Sequence, residues 1–209
     1  MSTSTLYRFS GVVLLIGGVL AIAGQLLLIT ADPGTPFWIP GSWLALAGTL
    51  LVVLGLPGLY FKQADRAGLL GLIGFVLSFV GFLFLVGIQT FDAFVSPTLA
   101  SSVATKSLAD TEAIPPLLVF ELLCGLLLIV GPLLFGIATI RAGAFQRWAA
   151  TILIVGSVAS FITVALHNWN EISGAIVYLA FACFGFLLLS KQGTAESVSS
   201  PSILKEART

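Results

Sequence analysis

GIQTFDAFVSPTLASSVATKSLADTEAIPPLLVFELLC, residues Gly87 to Cys124, is the longest polar interruption in an otherwise apolar chain. It leaves one apolar run of helical length and enters another, with an acid at each flank: Asp92 at the end of the first run, Glu121 inside the second. A membrane-crossing helix needs about 20 consecutive apolar residues, so such a stretch reads as the aqueous loop between two spans. The composition on either side agrees. Of the 209 residues, 58% are hydrophobic and only 9% charged, and the mean hydropathy is +1.11. A soluble domain carries roughly a quarter charged residues, so the bilayer is the expected solvent.

Working outward, six segments are long enough to cross as helices: near Tyr7–Thr30, Gly41–Phe61, Gly68–Phe91, Pro116–Ile140, Arg147–Leu166 and Ile172–Ser190. A helix satisfies its own backbone in lipid and an open strand does not, so the fold class is all-α. The expectation is a polytopic membrane protein, six transmembrane helices in a single bundle of three hairpins, occupying residues 1–190. Arg8 followed by the apolar run to Ile29 imitates a secretory leader, but Ile29-Thr30-Ala31 is a poor cleavage site, and the run reads as a retained first span. The tail, KQGTAESVSSPSILKEART at 191–209, is polar and Ser-rich and is expected to be disordered unless a partner holds it.

Charge sets the orientation. With both termini cytoplasmic, Arg8, Lys62, Arg66, Arg141, Arg147, Lys191, Lys205 and Arg208 all fall inside, and Lys106 alone falls outside. Tyr7, Phe9, Tyr60, Phe61 and Trp148 then mark the inner interface, and Phe37, Trp38, Trp43 and Trp169 the outer one. The expected location is the cell membrane, N-in and C-in. There is an internal echo too: Arg66-Ala67-Gly68 recurs as Arg141-Ala142-Gly143, and Lys62-Gln63 as Lys191-Gln192. Stop-transfer chemistry alone would give any hairpin such flanks, so the echo points to a repeated hairpin only weakly.

Lipid supplies no hydrophobic drive between helices, so close packing rests on small residues. Gly41, Gly48 and Gly55 recur every seven residues in the second span, and Gly74, Ser78 and Gly81 line one face of the third. Gly156, Ser160, Thr163 and His167 form one helical stripe on the fifth. These are expected contact faces. Pro57 and Pro132 are expected to kink their spans.

An ionisable group at the bilayer centre costs roughly 2.5–3.5 kcal/mol, which makes the few present the natural functional suspects. They gather towards one leaflet: Gln25 in the first span, Gln89 and Asp92 at the end of the third, Glu121 in the fourth, and His167, Asn168, Asn170 and Glu171 in the last outer turn. Glu121, about 7 Å below its span's outer end by the helical rise, sits among Leu117, Leu118, Val119, Phe120, Leu122 and Leu123. If Glu121, Asp92, Gln89, Gln25 and His167 converge, they form an outward-facing polar pocket with acid/base capability. The bland alternatives are a snorkelling carboxylate at Glu121, a solvated one at Asp92 and a turn residue at His167.

Several functions are excluded. A net charge of zero gives no basic stripe for nucleic acid. One histidine cannot make a bis-histidine haem site, and no metal-ligand spacing is present, so no metal site is expected. Every lysine lies outside the spans, which removes a retinal linkage. Cys124 and Cys183 each sit within a span and read as small packing residues. GLLGLIG at Gly68–Gly74 lacks the Lys-Ser/Thr of a phosphate loop. The residues specify no cofactor. Gly/Leu-rich hairpins with basic inner loops have a bacterial look, a likeness of style that carries no motif. Two functional readings remain. One is a structural or accessory subunit packing in the lipid bilayer against other membrane protein subunits or as a homo-oligomer. The other is a small transporter or membrane enzyme handling a lipophilic molecule through the outer-leaflet polar pocket.

Overall fold

The computed structural model describes residues 3–33, 35–108, 114–166 and 170–198, and every long element among them is helical. In order these are α1 (Thr3–Leu28), α2 (Trp38–Phe61), α3 (Ala64–Phe94), the short α4 (Ser96–Ala100), α5 (Pro115–Ala142), α6 (Arg147–Leu166) and α7 (Asn170–Val198). Five helices, α1, α2, α3, α5 and α7, are long and apolar enough to cross a membrane, and α6 is a shorter apolar helix. The expected count of six spans is therefore met in full by length and composition at five.

The helix ends depart from the sequence reading in three informative places. The third span was expected to stop at Phe91, yet α3 carries on through Asp92 to Phe94. No breaker intervenes before Ser96-Pro97, and the Trp38 indole N–H donates to the Asp92 carbonyl at 2.9 Å, satisfying a backbone group near the helix end. At its other end α3 absorbs the expected loop residues Ala64–Ala67, but Gly68 breaks the helical path with φ 58° and ψ −163°. The regular helix thus starts where the apolar run does. α7 runs past Ser190 to Val198. His167 and the chain beyond Val198 lie outside the described residues.

The helices pack in a ring in chain order: α1 on α2, α2 on α3, α3 on α5, α5 on α6, α6 on α7, and α7 back on α1. Glycine sets the closest approaches. Gly41 lies against Leu27 and Leu28, Gly48 against the backbone of Gly17 and Ala21, and Gly55 against Leu14 and Ser10, so the seven-residue glycine spacing of α2 is its α1 face. On the third helix Gly74 meets the Phe135 backbone, Ser78 meets Gly131, and Gly81 meets Leu127 and Leu128, which makes that stripe the α5 face. Gly156 meets Val177, and Thr163 bonds Ser173 at 3.1 Å, so the α6 stripe, with Ser160 bonded back to the Gly156 carbonyl, faces α7. α1 contributes two further stripes that the sequence reading missed: Gly17 and Gly24 towards α2, Gly11 and Gly18 towards α7. Pro57 and Pro132 lie inside α2 and α5, and both helices run on through them.

The middle of the ring is filled with aromatic side chains. Phe82 of α3, Phe135 of α5 and Tyr178, Phe181 and Phe184 of α7 are among the largest fully buried residues. The Phe82 ring meets Phe181 edge-on at 5.3 Å, and Phe145 meets Phe184 the same way at 5.3 Å. Burial is uneven around the ring: 56% of the apolar window of α2 and of α7 is buried, against 17% for α5. Among the five long helices α2 and α7 are the most buried and α5 the least.

Candidate functional site

Inside the bundle three helices bring polar groups together. Thr49 of α2, Gln89 of α3 and Tyr178 of α7 are all buried. The Thr49 hydroxyl donates to the Ala45 carbonyl at 2.8 Å, the back-bond usual for threonine in an apolar helix. Its oxygen also lies 2.5 Å from the Tyr178 hydroxyl. A threonine has one proton to give, so Tyr178 is the donor in that pair. The Gln89 side chain bonds the same tyrosine. With the phenolic proton committed to Thr49, the Gln89 amide N–H donates to the phenolic oxygen. The result is a directional relay, Gln89 to Tyr178 to Thr49 to the Ala45 carbonyl. One atom is left over: Gln89 Oε1 is buried with no hydrogen-bond partner.

The surroundings extend this cluster. Cys124 of α5 is buried, its Sγ donating to the Gly81 carbonyl at 3.5 Å, and it lies within electrostatic range of both Tyr178 and Glu121. Glu121, one turn before Cys124, is half-buried and holds interactions of its own. Gln25 of α1 rests against Gly174, one turn before Tyr178, with its amide atoms 3.8 Å from where a Cβ would stand. Asp92 is half-buried at the end of α3 and also holds interactions. Of the five residues singled out for a pocket, Gln89 belongs to the buried relay, Gln25 rests against Gly174 of α7, and Glu121 lies within range of Cys124. Asp92 lies one turn away along α3.

A cavity of about 40 Å³, room for a water molecule, lies between α3 and α5. Gly87, Ile88, Phe91, Leu117 and Phe120 line it, so neither Asp92 nor Glu121 does. It is apolar and lies on the face of α3 away from Gln89. Three further buried polar side chains lack partners: Ser10 and Ser42, and Gln63 in the α2–α3 turn, where neither amide atom is bonded. Among the described residues no three His, Cys, Asp or Glu side chains come together as metal ligands.

Sequence reasoning passed over Thr49 and Tyr178. Thr49 had no signal, since a lone threonine in an apolar helix commonly bonds its own backbone. Tyr178 had one: of the three tyrosines, Tyr7 and Tyr60 sit at span ends, and Tyr178 alone lies well inside a span. A tyrosine hydroxyl needs a partner when buried, so that position predicts a polar neighbour on another helix.

No family model matches the chain, and neither a curated protein nor a solved structure matches it. The helices themselves carry the assignment: this is an integral membrane protein of the helical-bundle type.

Proposed function

We propose that the chain is a six-span structural or accessory membrane protein, N-in and C-in, that works by packing against other membrane proteins or further copies of itself. The observation that carries this reading is the filled centre. Phe82, Phe135, Tyr178, Phe181 and Phe184 close the middle of the ring, and the cavity beside α3 is small, at about 40 Å³. A bundle packed in this way has the character of a rigid scaffold, since well-packed interiors resist rearrangement. Six spans rather than five are favoured by the ring, because α6 closes it only by running alongside α5 and α7. Both termini then lie on the basic side. Mild-detergent extraction from the native membrane, followed by native mass measurement and subunit identification, tests this. Stoichiometric co-purification with other membrane proteins, or a defined homo-oligomer, is the expected result. A lone monomer overturns it.

One observation favours a second reading, a membrane enzyme or transporter for a lipophilic molecule. Gln89 Oε1, buried and without a partner beside the Tyr178–Thr49 pair, would accept a hydrogen bond from a ligand hydroxyl. Supporting it, Cys124 lies within electrostatic range of the same tyrosine, and Gln25 rests against Gly174 one turn before it. The test is solvent extraction of the purified protein and mass analysis of what is released. A hydroxyl-bearing lipophile present in the wild type and lost in Gln89→Leu supports the reading, and an identical lipid extract from both removes it.

A further inference from the structure

The repeated tripeptide finds a use in three dimensions. Ala67 of the first copy packs with Ala138 and Ala142 of α5, the latter being the alanine of the second copy, with Leu70 against them. The two glycines, Gly68 at φ 58° and Gly143 at φ 62°, are the positive-φ glycines among the described residues, and each has open space where a side chain would stand. The two corners differ in form, Gly68 breaking the start of α3 with ψ −163° and Gly143 capping the end of α5 with ψ 17°, but they touch through their alanines. Arg66 and Arg141 each stand one residue before an alanine of that contact, and both are exposed. Arg147, also exposed, opens α6 just after the second corner, followed by Trp148 at 45% exposure. Directly below the first corner α3 presents Leu69, 72% exposed, with Leu72 and Ile73 also exposed.

We propose that these paired Arg-Ala-Gly corners bind the phosphate of an anionic membrane lipid. Arginine is suited to this, because its planar guanidinium engages phosphate oxygens through two parallel bonds. Clustered basic residues at the end of a span are also where anionic headgroups collect. The neighbourhood is one-sided in charge: Arg8, Lys62, Arg66, Arg141 and Arg147 share this end of the bundle, with Asp65 as the acid among them. The two arginines are themselves without an ion-pair partner among the described residues. A lipid rather than a free anion is the occupant, because the corners sit where the helices leave the apolar zone, and the exposed Leu69, Leu72 and Ile73 continue from them as a track for acyl chains. Trp148 lies at the level expected of an interfacial anchor. The inference is independent of whether the bundle serves as a scaffold or acts on a ligand.

The test uses the full chain purified in a maltoside detergent, with bound lipid counted by native mass spectrometry and thermal unfolding followed in parallel. Phosphatidylglycerol, phosphatidylcholine and inorganic phosphate are added separately. The wild type is expected to retain phosphatidylglycerol and to gain in unfolding temperature with it, and to respond to neither of the others. Arg66→Gln with Arg141→Gln is expected to weaken that binding about thirty-fold, from the typical contribution of each basic residue near an anionic surface. Arg66→Lys with Arg141→Lys keeps the charge but not the fork, and should recover only part; it also serves should the glutamine pair fail to fold. Lys106→Gln, in the segment between α3 and α5 at the opposite end of the bundle, should change binding little. Undiminished phosphatidylglycerol binding in both double variants overturns the proposal. So does an equal response to phosphatidylcholine, or stabilisation by inorganic phosphate alone.

Discussion

Replacing Gly48 with alanine should loosen the whole ring, and the size of the effect follows from what the new methyl meets. A Cβ at Gly48 would stand 2.6 Å from the Gly17 carbonyl oxygen and 2.8 Å from the Ala21 Cα. These are backbone atoms and cannot rotate aside. Restoring ordinary contact requires α1 and α2 to part by about 1 Å. α1 has little room to retreat, because Gly18 on its other side lies against the Tyr178 carbonyl and Ala182 of α7. Overpacking of this kind costs about 1–3 kcal/mol, and the lack of slack favours the upper half. Alanine regains about 1 kcal/mol of helix propensity over glycine, leaving a net loss of about 1–2 kcal/mol. Gly125 of α5 is the matched control, since a Cβ there meets nothing within 4 Å. Gly125→Ala should keep the propensity gain and stabilise by up to about 1 kcal/mol. Unfolding by SDS titration in mixed micelles would measure both, read from tryptophan fluorescence, with Trp43 packed on Phe94 at 4.6 Å as a tertiary reporter. A neutral Gly48→Ala, or one more stable than Gly125→Ala, would refute the close α1–α2 contact.

The same titration separates the members of the polar relay. Tyr178→Phe removes the donor to Thr49 and the acceptor for Gln89, and should cost about 1 kcal/mol, in the range measured for interhelical bonds in membranes. Gln89→Leu removes the amide donor to Tyr178 together with an acceptor that has no partner, two effects that oppose each other, and should cost less than Tyr178→Phe; a larger loss than that of Tyr178→Phe would mean that Oε1 is bonded too. Gln63→Met should likewise stabilise by about 1 kcal/mol, since it deletes two unsatisfied buried atoms without changing the shape much, and a marked drop in unfolding midpoint would count against it. For the orientation, a single cysteine at Lys106 should react with an impermeant maleimide on intact cells, and one at Gln146 only after lysis. The reverse pattern would invert the proposed N-in, C-in arrangement.

What could be read from the sequence and what could not divides along a physical line. In lipid both the buried and the exposed faces of a helix are apolar, so an apolar residue says little about which way it points. Phe181 and Phe184 plug the ring, while Phe186 on the same helix is 57% exposed, and nothing in the sequence tells them apart. Small residues do carry direction, because they are kept where backbones touch. Hence the glycine spacing of α2 and the Gly-Ser-Gly stripe of α3 can be read as contact faces, each with its partner left open. The two stripes of α1 were hidden because Gly17 and Gly18 are adjacent and point to different neighbours. Charged and amide residues carry cost, which singles out Gln89, Gln25 and Glu121 as exceptional positions but says nothing of their companions. The partner of Gln89, Tyr178, comes from a helix more than eighty residues further along the chain. Which helices neighbour one another is set by the ring, and the ring is set by glycine. The polar cluster is therefore a consequence of the packing faces: had α1 not been thin enough to lie between α2 and α7, the Thr49 and Tyr178 hydroxyls could not stand 2.5 Å apart. That dependence ties the glycine variants to the relay. Gly48→Ala, by forcing α2 away from an α1 that is held against α7, should also lengthen or break the Thr49–Tyr178 bond, so the double variant with Tyr178→Phe should lose less than the two single costs added together.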